Sequence, residues 1–156
     1  EAPLNAALNA FAPRYLEALR TAMFARLGLQ PGELESDVDF LETLFAWMTE
    51  SRMSWAQFFH DWFAGRDAGR DPLYAAPEFT PIRDAIAARA PERPERLIHP
   101  LFARERPVDL LIDELEAIWA PIAEADDWRL FEAKLVEIED LRLALALQPT
   151  NGFHAG

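Results

Sequence analysis

The chain has 156 residues, 51% hydrophobic and 27% charged, the balance of a soluble globular protein with enough length to bury one core. Its net charge of −12 works against nucleic acid, because a phosphate-binding surface needs clustered Lys and Arg to displace counterions. Without Cys there are no disulfides and no thiol chemistry, and no apolar run approaches the roughly 18 residues of a membrane span.

Residue 1 is Glu rather than Met and no basic, apolar leader follows it, so the reading expects a fragment of a longer, cytoplasmic protein, mitochondrial if eukaryotic. Leu4, Leu8, Phe11, Tyr15, Leu19 and Met23 recur every three or four residues, which predicts a helix reaching Leu27. Pro13 removes one backbone donor, so a kink or break is expected near Ala12. Arg26-Leu27-Gly28-Leu29 reads as a helix end, with a basic last turn and Gly in the left-handed position. After the turn Gln30-Pro31-Gly32, Ser36 or Asp37 is expected to cap a second helix that buries Val38, Leu41, Leu44, Phe45 and Met48. The short link Glu50-Ser51-Arg52-Met53 predicts that the next helix folds back against it.

That next helix, Ser54 to Gly65, is dense in Trp and Phe. Ser54 and Gln57 form a capping-box pattern, and Gly65 supplies a left-handed stop. Trp55, Phe58, Phe59, Trp62 and Phe63 make one apolar stripe, which is either the hub of a core or a docking surface. The short link favours the hub, with Phe58, Phe59 and Trp62 inside, while Trp55 and Phe63 are the candidates for an interaction surface.

Gly65 to Pro77 lacks periodicity and reads as a mobile loop. Thr80-Pro81 starts a short helix to Ala90, and Pro91 with Pro94 marks a second irregular connector. Pro107 is expected to start a long helix burying Val108, Leu111, Ile112, Leu115, Ile118, Trp119 and Ile122, bent at Pro121. Asp126 or Asp127 caps a last helix whose inner face is Trp128, Phe131, Leu135, Ile138, Leu141 and Leu145. No segment alternates with period two, so the expected class is all-α: a bundle of about six helices forming a single domain over 1–148, with 149–156 a frayed tail.

Candidate chemistry is sparse. None of His60, His99 and His154 stands in a metal-ligand pattern. His60 with Asp61 could relay a proton, although a pair on the polar face is the favoured reading. The acidic runs Asp109 to Glu116 and Glu132 to Asp140 raise a carboxylate-metal hypothesis, but bundles of that kind add inward Glu-x-x-His motifs, and solvated helix faces are favoured. There is no Gly-rich phosphate loop, nucleophile elbow or kinase catalytic loop, so no catalytic, cofactor-binding or metal residue is assigned.

The run Phe11…Tyr15…Leu19…Met23…Arg26-Leu27-Gly28-Leu29 resembles the C-terminal part of the selenoprotein-O family, where a similar helix ends in Lys/Arg-Leu-Gly-Leu. The helix Asp37…Phe40-Leu41…Leu44…Met48 and the aromatic stretch follow in the family's order. His99-Pro100-Leu101-Phe102 looks like a degenerate form of a later family motif, although Ala103-Arg104-Glu105-Arg106 departs from it, and Glu124 to Glu132 resembles an acidic-cap motif near the family's end. The resemblance implies a helical region packed on a preceding kinase-like domain of the same chain. Such proteins transfer AMP from ATP, with Mg²⁺, to protein hydroxyls, and their nucleotide and metal residues map onto no position here. The expectation is thus a non-catalytic domain that braces or regulates such a core. A free-standing helical module binding a protein partner is the alternative.

Overall fold

A computed structural model of the protein describes residues 2–67, 69 and 71–145, with side chains described from Phe11 onward. Among these residues the fold is all-α: α1 (Ala2–Leu27), α2 (Leu34–Ser51), α3 (Trp55–Trp62), α4 (Thr80–Ala87), α5 (Ile112–Ala125) and α6 (Arg129–Ala144), joined by loops and short 3-10 turns. The expected tail 149–156, with His154, lies outside the described residues. By contact the chain divides between Pro94 and Glu95 into two compact units.

In the first unit α1 runs as one helix through Pro13, so of the kink or break expected near Ala12 the break is absent. Helix α1 ends as its sequence dictates. Gly28 takes φ 64°, and Leu29 N–H donates to the Phe24 carbonyl at 3.1 Å, folding Leu29 back into the core. The reversed chain forms one isolated antiparallel bridge between Leu29 and Pro91, with Gln30 N–H on the Ala90 carbonyl and Glu92 N–H on the Gly28 carbonyl, both at 2.9 Å.

Helix α2 starts at Leu34 behind Glu33, two residues before the expected cap, and no side chain caps it. The cap expectation fails because the Asp37 carboxylate is engaged elsewhere. Its oxygens accept from Gly32 N–H at 3.1 and 2.9 Å, from Arg20 Nε at 2.7 Å and from Arg89 Nη2 at 3.0 Å. Asp37 is fully buried. Burial opposes its ionisation, but the bonds from Arg20, Arg89 and Gly32 prevail and hold the carboxyl below its usual range. The Arg89 guanidinium also lies over the Phe24 and Phe40 rings, 5.2 and 4.7 Å from their centroids.

Ser54 caps α3 by accepting from Gln57 N–H at 3.4 Å. On the same helix Gln57 Nε2 donates forward to Asp61 Oδ1 at 2.9 Å. The helix ends at Trp62, earlier than Gly65 suggested, and Ala64 and Gly65 take φ of 54° and 75° in succession. Phe58, Phe59 and Trp62 are buried, so this helix is a hub.

The segment expected to be a loose loop completes that hub. Two 3-10 turns, Pro72–Ala75 and Pro77–Phe79, place Tyr74 and Phe79 in the core. Phe79, with no exposed surface, has its ring centroid 4.8 Å from Trp47, 5.0 Å from Trp62 and 5.0 Å from Tyr74. The Asp71 carboxylate fixes the first turn by accepting from Leu73 N–H at 2.9 Å.

In the second unit α5 begins at Ile112, five residues later than Pro107 suggested, and Pro121 lies inside it. Asp126 ends α5 with φ 52°. Trp128, not Asp126 or Asp127, precedes the first residue of α6, although the Asp127 carboxylate still takes the early Arg129 N–H at 3.1 Å. The short link returns α6 against α5, and Lys134 joins them. Its Nζ pairs with Glu114 at 2.5 Å and Glu137 at 2.7 Å, and donates to the Asp109 carbonyl at 3.3 Å. Burial works against the charge on Lys134, and the two glutamates override it, raising its pKa.

Candidate interaction surface

The residues assigned to a surface from the sequence separate. Trp55 is 39% exposed and packs on Phe45 and Phe59 at centroid distances of 5.6 and 5.7 Å. Phe63 is 1% exposed, its ring filling the space above Gly28, so it is a core residue here and not part of a surface.

His60 and Asp61 are not on a polar face either, since both are buried. Asp61 accepts from Gln57 and from the Tyr74 hydroxyl at 3.0 Å, and Arg66 donates to the His60 carbonyl. Burial, then the neighbouring Asp61 charge and hydrogen bond, push the Tyr74 phenol well above its usual pKa. These contacts tie α3 to the turn at Tyr74 and satisfy polar groups within the core. His99 caps the 3-10 turn Pro100–Ala103: its Nδ1 accepts from Leu101 N–H at 3.3 Å, which leaves the proton on Nε2, 3.6 Å from Asp140 Oδ1.

The two acidic runs meet only at Lys134, a cation of this chain. Glu114 and Glu137 are held by Lys134, Glu139 by Arg142 at 2.5 Å and Asp140 by Arg104 at 2.8 Å, while Asp113, Glu116 and Glu132 are exposed. Among the described residues no three His, Asp or Glu are grouped to hold a metal ion. None of these helices is long and apolar enough to cross a membrane.

The surface that stands out is on the second unit, where the expected inner faces of α5 and α6 are buried at Ile118, half-buried at Val108, Ile122, Leu141 and Leu145, and exposed elsewhere. On α5 only Ile118 is buried; Ile112 and Trp119 are 72% and 62% exposed, and Leu111 and Leu115 are exposed as well. On α6, Trp128, Phe131, Leu135 and Ile138 are all exposed. Helix α6 packs against α5 and the turn Pro100–Ala103, where Leu101 and Phe102 are buried, and these contacts leave part of each apolar arc open.

The two open flanks share a side. At about 100° per residue, Ile112, Leu115 and Trp119 lie ahead of Glu114 in the sense of helical rotation, and Phe131, Leu135 and Ile138 lie ahead of Lys134 in the same sense. Glu114 and Lys134 pair across the two helices, and in an antiparallel pair rotation in the same sense carries both stripes toward the same side. The result is a set of exposed branched and aromatic side chains on one side of both helices. Periodicity located these residues correctly but could not say that no further layer covers them among the described residues.

No family model matches this chain, and no match emerges among curated proteins or solved structures.

Proposed function

We propose that this protein is a helical protein–protein interaction module whose docking surface is the open face of α5 and α6. The observation that carries the reading is the exposure of Ile112, Leu115, Trp119, Phe131, Leu135 and Ile138 on one side of a helix pair. Isolated exposed apolar residues are ordinary, but six on one side of a helix pair, with Trp119 among them and Trp128 near them, have the composition of a binding hot spot. A groove between two antiparallel helices suits a third amphipathic helix, which would bury the strip as a further bundle layer.

The test is a displayed library of helical peptides selected against the wild-type chain. Selected peptides should lose binding to a Leu115→Ser/Leu135→Ser variant. The variant's thermal midpoint should stay within about 6 °C of wild type, because about half of each side chain is already in water. Selected peptides that bind wild type and variant alike would remove the face from the reading.

A second reading rests on the motifs of residues 11–63 and their order, which resemble the selenoprotein-O family. On that reading the partner is a kinase-like core on the same polypeptide, with ATP and Mg²⁺ held by that core, and this region braces or regulates it. The coding sequence immediately ahead of residue 1 tests it. A Gly-rich loop, a Lys-bearing strand and a metal-binding Asp are expected there, and an unrelated domain would end it.

A further inference from the structure

We propose that the occupant of the α5–α6 face is a basic amphipathic helix from a partner protein, with Leu-like anchors on one side and Lys or Arg along its flanks. The inference rests on the module reading above and adds the chemistry of the partner. Its basis is the charge around the strip. Glu116 on the α5 side and Glu132 on the α6 side are both exposed and carry no ion pair among the described residues. The bases nearest the strip are already matched by acids of this chain. Arg104, which lines a pocket with Leu135, is bound to Asp140 at 2.8 Å, Arg129 to Asp127 at 2.6 Å, and Arg142, which lies within the α6 stripe, to Glu139 at 2.5 Å. Arg129 holds the Asp127 carboxyl down to about 2, so that pair persists across the neutral range.

The apolar floor is therefore edged by uncompensated negative charge, in a chain whose net charge is −12. Three other occupants meet this rim unfavourably. A second copy would bring its own Glu116 and Glu132 to the same contact, a nucleic acid would bring phosphates, and an anionic lipid surface would bring headgroups of the same sign. A helix flanked by Lys or Arg meets the rim with opposite charge and the strip with its apolar side. Rim charges of this kind steer encounter and discriminate partners, and the buried anchors hold the complex.

Three synthetic peptides of equal length test this by titration calorimetry against the full chain at low and at physiological ionic strength. One is a Leu/Lys helix with Leu spaced at three and four, one is the same composition scrambled, and one is a Leu/Glu helix on the same pattern. The patterned Leu/Lys peptide should bind at least tenfold more tightly than either of the others, and salt should weaken it. Glu116→Lys/Glu132→Lys should cost at least tenfold in its affinity, and Leu115→Ser/Leu135→Ser should abolish binding, with helical circular dichroism retained in both variants. Equal binding of the Leu/Glu helix, or no effect of the Glu116→Lys/Glu132→Lys change, would overturn the basic partner while leaving the module reading in place, provided that Leu115→Ser/Leu135→Ser still abolishes binding. Binding that ignores the Leu115→Ser/Leu135→Ser change, or no binding at all, would remove both. A dimer of the chain alone that dissociates in the Leu115→Ser/Leu135→Ser variant would assign the face to a second copy and overturn the proposal.

Discussion

Arg89, the second residue beyond α4, donates Nη2 to Asp37 Oδ1 on α2 at 3.0 Å across 52 residues of sequence. Arg20 on α1 holds the other carboxylate oxygen at 2.7 Å, so one buried anion joins three helices of the first unit. Removing it would leave two guanidinium groups facing each other and Gly32 N–H without an acceptor. Asp37→Ala should cost about 3 kcal/mol, the lower end for a broken buried pair, because both arginines retain some access to water. Chemical denaturation at pH 7 measures it, and a loss under about 1 kcal/mol would show that the clamp is dispensable.

The same carboxylate makes stability depend on acid. Its pKa is lowered on folding, so its contribution is fully present above the unfolded carboxylate value of about 4 and disappears as pH falls through the folded value. The stability gap between wild type and Asp37→Asn should therefore be constant from about pH 5 to pH 7 and narrow below roughly pH 4. Denaturant midpoints for both proteins across that range provide the check. A gap that widens in acid would contradict the sign.

Gly28 serves two needs at once. Its φ is 64°, and a Cβ there would lie 2.8 Å from two atoms of the Phe63 ring. Gly28→Ala combines a left-handed penalty with a clash against a buried aromatic ring, for a cost of about 3 kcal/mol. Thermal or denaturant unfolding reads it directly. A neutral result would mean that Phe63 can move aside, which would reopen its candidacy as a surface residue.

Alanine substitutions separate hub from rim. Phe79→Ala and Phe59→Ala should each cost about 3–5 kcal/mol, since both rings are enclosed. Trp55→Ala should cost less, below about 2 kcal/mol, because over a third of its surface is already in water. Near-equal losses at Phe59 and Trp55 would contradict this ordering.

What the sequence determined is the local part of the structure. The 3.6-residue period located five of the helices and Thr80-Pro81 the start of α4, and Arg26-Leu27-Gly28-Leu29 and Ser54 marked ends whose geometry is set within a turn. Local rules reach no further than their own neighbourhood. Asp37 has the composition and position of an N-cap, and only the approach of Arg20 and Arg89 turns it inward. Tyr74 and Phe79 lie in a Pro-rich stretch without periodicity, and they are core residues because Trp47 and Trp62 leave a space that their rings fill. The stripe from Ile112 to Ile138 is the converse. Its pattern reads as buried, but burial needs a layer opposite, and how many layers a unit contains is decided by packing alone. The aromatic stretch from Ser54 to Gly65 raised the question of hub or docking surface. Packing makes it the hub and leaves the docking role to two helices whose apolar faces looked, in sequence, just like core.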